Sequence, residues 1–124
     1  MAKVLIIEDD PLVARMYQTI FGFEAIDVTL AMNGVDGLTK VREIKPDLVL
    51  CDVMMPKMNG MEVLDAIKAD ESLKDIPVVM LTNLSGTQDA ELALKKGAVA
   101  YLVKSQFKPK EVVEKTKEYL KNGK

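Results

Sequence analysis

The chain has 124 residues, 48% of them hydrophobic and 29% charged, with a formal net charge of −2. That describes one globular domain able to bury a core without a disulfide or metal staple, and it argues against a domain-wide basic footprint for nucleic acid. A single cysteine and no histidine exclude an internal disulfide, histidine metal sites, Ser-His-Asp and Cys-His catalysis, and any role as a phosphohistidine donor.

Chemistry here must therefore run on carboxylates, lysines, hydroxyls and backbone. Met1-Ala2-Lys3 leads into only four aliphatic residues, too few for a signal-peptide core. No apolar run approaches the roughly 20 residues of a membrane helix. The expectation is a soluble, cytoplasmic protein in which residues 1–124 form a single domain with no membrane contact.

In chain order, Val4-Ile7 (V-L-I-I) is the first predicted strand, apolar on every residue. Asp10-Pro11 then opens a helix, a cap followed by proline in the first turn, which closes near Gly22. Ile26-Leu30 alternates as a less covered strand would, with Asp27 and Thr29 outward. The second helix starts around Asn33, carries Val35, Leu38, Val41 and Ile44 on one stripe, and stops before Pro46. Leu48-Cys51 (L-V-L-C) is the third strand, again wholly apolar. A helix follows from about Gly60 to Ala69, with Val63, Leu64 and Ile67 inward. Val78-Leu81 (V-V-M-L) is the fourth strand. The fourth helix begins at Ser85, where Ser85 and Gln88 have capping-box spacing, and ends at Gly97. Val99-Val103 is the fifth strand. The last helix starts near Pro109 with Val112, Val113, Thr116, Tyr119 and Leu120 on one face.

Strict β-α alternation predicts an α/β fold: a parallel, doubly wound sheet with helices on both faces, and function at the carboxyl ends of the strands. Glu8, Asp9 and Asp10 follow strand one, Asp52 ends strand three, Thr82 follows strand four and Lys104 follows strand five. Clustered carboxylates repel one another and call for a cation, and an oxygen-only set suits Mg²⁺ before Ca²⁺ or Zn²⁺. A carboxylate can also accept a phosphoryl group as nucleophile, with Thr82 and Lys104 binding its oxygens. Asp10 reads as a helix cap alone, and Cys51 as core. Acids after strand one, where a Rossmann or P-loop site would place glycines, disfavour a nucleotide cradle.

This combination resembles the response-regulator receiver domain of two-component signalling: an acidic pair after V-L-I-I, D-V-M-M-P-K-M-N-G from Asp52 to Gly60, L-T at Leu81-Thr82, and Y-L-V-K from Tyr101 to Lys104. The resemblance covers essentially the whole chain. It implies the flavodoxin-like (βα)5 fold with strand order 2-1-3-4-5, the order of the family's chemotaxis member. It implies Asp52 as phosphoacceptor, and Mg²⁺ held by Glu8, Asp9, Asp52 and the backbone carbonyl of Met54. Thr82 and Lys104 would contact the phosphoryl group, and Thr82 with Tyr101 would form the switch pair. The implied partners are a sensor histidine kinase or histidine phosphotransfer protein and a downstream protein target. The implied state is a monomer or a phosphorylation-dependent dimer, without direct nucleic-acid contact. Such a domain is a signalling switch, not a metabolic enzyme, and assists only its own phosphorylation and dephosphorylation.

The sequence departs from the commonest family pattern at Glu8 (more often Asp), at Ser105 (more often a cis-proline after the lysine) and at Asn83 (more often Ala or Gly, so access to Asp52 should narrow). Met54 and Leu84 stand at the two positions that influence attack of water on the acyl phosphate. Both are apolar, so slow self-dephosphorylation is expected. Three other functions compete: the receiver half of a longer transcriptional regulator, an aspartate-nucleophile Mg-dependent phosphohydrolase, and a receiver-like module that is never phosphorylated. The phosphohydrolase pattern would need a second aspartate at position 54.

Charge is unevenly spread. Residues 1–94 carry 8 Lys/Arg against 16 Asp/Glu, a balance of −8, and residues 95–124 carry 9 Lys against 3 Glu, a balance of +6. The basic third is expected either as a solvated lysine-rich face or as the output surface formed by helix four, strand five and helix five.

Overall fold

The three wholly apolar runs become the centre of one sheet because both of their faces are covered. The computed structural model describes residues 1–122. Its strands are β1 (Lys3–Ile7), β2 (Asp27–Ala31), β3 (Leu48–Cys51), β4 (Val78–Thr82) and β5 (Ala100–Val103). All pair in parallel, in the order β2-β1-β3-β4-β5. The helices between them are α1 (Pro11–Gly22), α2 (Gly34–Ile44), α3 (Gly60–Ala69), α4 (Thr87–Lys95) and α5 (Pro109–Asn122). The expected doubly wound fold and strand order are both present.

Successive side chains of each central strand enter different cores. Val4, Ile6, Leu48, Leu50, Val79 and Leu81 pack with Tyr17 and Phe21 of α1 and Val112 and Val113 of α5. Leu5, Ile7, Val49, Cys51, Val78 and Met80 pack with Leu38 and Val41 of α2, Val63, Leu64 and Ile67 of α3, and Ala93 of α4. Cys51 is therefore core, and burial pushes its thiol far up. Thr116 is buried in α5 and satisfies its hydroxyl by donating to the Val112 carbonyl at 2.8 Å, the local option open to a helical threonine.

Four local expectations change. Val35 points outward (54% exposed). The buried stripe of α2 is instead Gly34, Gly37, Leu38 and Val41, because α2 lies so close to β1 that a Cβ on Gly37 would meet Ile7 Cδ1 at 2.5 Å. The Ser85-Gln88 capping box does not form. Helix α4 starts two residues later, behind Gly86, with no side-chain cap. β2 begins at Asp27 and β5 at Ala100, each one residue later than expected, with Val99 left half-exposed. A short 3-10 turn, Lys104–Gln106, separates β5 from α5. A capping box that was readable but not anticipated stands at α3, where Asn59 and Glu62 exchange side-chain and backbone bonds. Among the described residues, no helix is long and apolar enough to cross a membrane.

Candidate functional site

The carboxyl edge of the sheet is assembled by backbone bonds that continue the strand ladders. Glu8 N–H donates to the Ala31 carbonyl at 2.9 Å, and Asp52 N–H donates to the Ile7 carbonyl at 3.0 Å. These two bonds hold the segment after β1 and the residue after β3 side by side. Asp10 caps α1, its Oδ1 accepting the N–H of Leu12 at 3.0 Å and of Val13 at 3.5 Å, as its sequence position implied.

A cavity of about 320 Å³ opens at this edge, lined by Glu8, Asp9, Asp52, Thr82 and Lys104, with Asp10, Val13, Met54 and Asn83 at its sides. Every acid, hydroxyl and lysine selected from the sequence thus meets in one place. Glu8, Asp9 and Asp52 can each present a carboxylate oxygen within 4.8 Å of the others, so this cluster could hold a metal ion. Glu8 and Asp52 are buried, and Asp9 is exposed at the mouth. The donors are all oxygens and carry excess negative charge, which fits a hard divalent cation.

Asp52 has its two oxygens on different partners. Oδ1 accepts the Met54 N–H at 3.2 Å, and Oδ2 accepts the Lys104 ammonium at 3.3 Å. The same ammonium donates to Glu8 Oε1 at 2.5 Å. Burial pushes the Glu8 carboxyl above its ordinary value, opposed by Lys104 and the Asp10 N–H and assisted by the charge of Asp52. Burial alone would pull Lys104 down. Its bonds to Glu8 and Asp52 and their two charges outweigh that and raise it. The peptide after Lys104 is trans, as are all those described, and the 3-10 turn carries the lysine into the cavity.

Thr82 is fully buried at the end of β4, and its hydroxyl accepts the Leu84 N–H at 3.3 Å. Tyr101 does not line the cavity. Its hydroxyl donates to the Leu84 carbonyl at 2.9 Å, so both members of the expected switch pair bind the β4–α4 loop at Leu84. The Leu84 carbonyl was not among the residues expected, and no local pattern marks a backbone acceptor of this kind. Beside the cavity lies a groove of about 540 Å³, lined by Met54, Met55, Pro56, Met61 and Leu84.

The response regulator receiver domain family matches residues 4–117. The chain belongs to that family. It is 40% identical over 121 residues to the DNA-binding response regulator MtrA of Mycolicibacterium smegmatis, covering 98% of this chain and 51% of MtrA. The polar-differentiation response regulator DivK of Brucella anthropi is 32% identical over 118 residues, covering 95% of both chains. The receiver domain of Francisella response regulator 1452 superposes with a TM-score of 0.91 at 29% identity, covering 100% of each chain. The receiver domain therefore spans about half the length of the MtrA relatives and nearly all of DivK. Receiver domains are signalling domains of two-component systems rather than metabolic enzymes, and membership implies phosphorylation by a kinase or phosphotransfer partner.

The basic third of this receiver domain is partly neutralised from within. Lys96 of α4 pairs with Asp65 of α3 at 2.9 Å, and Lys117 of α5 pairs with Glu24 beyond α1 at 2.7 Å. Among the described residues, Lys95, Lys108, Lys110 and Lys115 form no ion pair.

Proposed function

We propose that Asp52 accepts a phosphoryl group from a phosphohistidine of a sensor histidine kinase or a histidine phosphotransfer protein. The observation that carries this reading is the convergence of Glu8, Asp9, Asp52, Thr82 and Lys104 on one cavity at the carboxyl edge. An Asp52 carboxylate oxygen attacks phosphorus, the new P–O bond forms as the P–N bond breaks, and the imidazole leaves. Lys104 binds the phosphoryl oxygens and offsets their charge, and the Thr82 hydroxyl donates to them. Glu8, Asp9, Asp52 and the Met54 backbone carbonyl are the groups that would hold Mg²⁺. Bound there, Mg²⁺ neutralises charge that develops on the phosphoryl oxygens.

The phosphoryl group favours only the conformation whose donors reach it, so acceptance shifts a population. The Thr82 hydroxyl accepts the Leu84 N–H and still has its proton to donate, so turning it toward the phosphoryl group would draw the β4–α4 loop with it at Leu84. Tyr101 is bonded to the same residue and would be freed to turn inward. The change is thereby passed to the face formed by α4, β5 and α5, which meets a downstream protein or a second receiver domain. Direct nucleic-acid contact is no part of this reading, and an intracellular phosphohistidine donor sets the reaction in the cytoplasm.

A second reading concerns the whole protein. Because the MtrA relatives are about twice as long as this chain, the domain could serve as the receiver half of a longer transcriptional regulator. The phosphorylation chemistry is the same in either case.

The test is incubation with Mg²⁺ and a small phosphodonor, read by intact mass, for wild type and Asp52→Asn. A phosphoryl mass gain in wild type, lost in Asp52→Asn and after chelation of Mg²⁺, is expected. No gain in wild type would favour a module that is never phosphorylated.

A further inference from the structure

The methionines of this chain differ sharply in what surrounds them. Met80 is fully buried, and Met55, Met58 and Met61 pack against the core. Met54 is 60% exposed, against 38% for Met16 and 37% for Met32. It also borders two spaces at once, the acidic cavity and the groove that it shares with Met55, Met61 and Leu84. Its N–H donates to Asp52 Oδ1 at 3.2 Å, so its backbone is tied to the proposed acceptor while its side chain is open to solvent. Met1 is more exposed still, at 86%, but it precedes β1 and so lies at the opposite edge of the sheet.

An exposed thioether accepts an oxygen atom from a peroxide. The S–O bond forms as the O–O bond breaks, the sulfur gives up two electrons, and the other peroxide oxygen leaves as water. The sulfoxide that results replaces an apolar side-chain end by a polar one. At position 54 that change sets a strong hydrogen-bond acceptor beside the cavity, where the unmodified side chain offers water almost nothing.

Resting on the reading of Asp52 as phosphoacceptor, we propose that Met54 is an oxidation site that ties the lifetime of the acyl phosphate to peroxide. Its sulfoxide oxygen accepts a hydrogen bond from a water in the cavity and holds that water towards the phosphorus. The water oxygen forms a new P–O bond as the bond to the Asp52 oxygen breaks, and the carboxylate is regenerated. Inorganic phosphate leaves with one proton of the water, and the other passes to solvent. Met54 acts here through the water, as a positioning residue. A methionine sulfoxide reductase restores the thioether and with it the longer lifetime.

The experiment treats the full chain, as wild type and as Met54→Leu, with hydrogen peroxide, and peptide mass mapping follows which methionines gain oxygen. Circular dichroism establishes folding, and Met54→Val serves as a second replacement without sulfur. Each form, oxidised and unoxidised, is then phosphorylated with a small phosphodonor and Mg²⁺, and loss of the phosphoryl mass is timed after the donor is removed. Met54 should gain oxygen before Met16 and Met32. Oxidation should shorten the wild-type lifetime about threefold to tenfold, the effect of one hydrogen bond. The same treatment should leave the lifetime of each sulfur-free variant at its own unoxidised value, although Met1 is oxidised in all of them. Reductase treatment of oxidised wild type should restore the longer lifetime. Oxidation of Met54 no faster than of Met16 and Met32, an equal response in wild type and the sulfur-free variants, or a shortened lifetime that the reductase does not restore overturns the inference and leaves Asp52 as acceptor. No phosphoryl gain by unoxidised wild type overturns the reading of Asp52 itself, and the inference with it.

Discussion

Gly60, the first residue of α3, rests directly on the backbone of Asp52: a Cβ at position 60 would lie 2.1 Å from the Asp52 carbonyl oxygen and 2.8 Å from Val53 Cα. The Gly60 N–H also donates to the Val53 carbonyl at 2.9 Å. The proposed acceptor and the start of α3 are thus locked by backbone against backbone, where nothing flexible can give way. Gly60→Ala should separate them, at a cost of about 1–3 kcal/mol in a urea melt. The displaced Asp52 should take up phosphoryl groups more slowly. An unchanged midpoint together with an unchanged rate would show that the contact relaxes freely.

Met54 is 60% exposed beside the cavity, and Leu84 lines the adjoining groove with it. Neither side chain can accept or donate a hydrogen bond strong enough to orient an attacking water. The acyl phosphate should therefore be long-lived. Met54→Asn, which supplies an amide at the same place, should shorten the lifetime severalfold. Equal lifetimes, followed by loss of the phosphoryl mass with time, would remove the argument.

Tyr101 tethers β5 to the β4–α4 loop through its bond to the Leu84 carbonyl. Tyr101→Phe keeps the ring and deletes that bond, which should cost about 0.5–1.5 kcal/mol of stability. Amide exchange should quicken around Asn83 and Leu84 more than in β1 or β3. Uniform exchange across the sheet would mean that the hydroxyl does not restrain the loop.

Tyr17 is 3% exposed in the core between α1, α5 and the sheet. Burial raises its phenol above the ordinary value of 10.0, the charge of Glu8 adds to this, and Lys104 opposes it. The folded state thus holds the phenol proton more tightly than the unfolded chain. The resulting stability is complete below about pH 10, the unfolded value, and is lost as pH rises through the folded value above it. Wild type should lose stability over that window more steeply than Tyr17→Phe in thermal melts. Parallel curves for the two proteins would contradict this.

Much of the architecture was readable from local chemistry. Runs such as Val4-Ile7 and Leu48-Cys51 are apolar at every position, which only a strand covered on both faces requires. Asp10-Pro11 announced the start of α1. The chemistry-bearing residues were readable too, because β-α alternation sets the carboxyl ends of all strands at one edge. Helix α2 was harder. Of the hydrophobic stripe Val35, Leu38, Val41 and Ile44, only Val35 fails to face inward, because the buried surface also takes in Gly34 and Gly37, which carry no hydrophobic signal. At α4, Ser85 and Gln88 had the right spacing for a capping box, but the chain enters that helix at Gly86 and leaves the pattern unused.

The sequence by itself determined which groups are available and at which edge they gather, since helix caps and strand periodicity act over a few residues. Only the tertiary structure decided which group meets which. Lys104 and Glu8 are 96 positions apart, and their bond depends on β1 and β5 being held in one rigid sheet. The same holds for Lys96 with Asp65 and Lys117 with Glu24, which turn part of a basic segment into internal pairs. A lysine's choice among nearby carboxylates depends on differences of about an ångström in reach, and those are settled by packing rather than by composition.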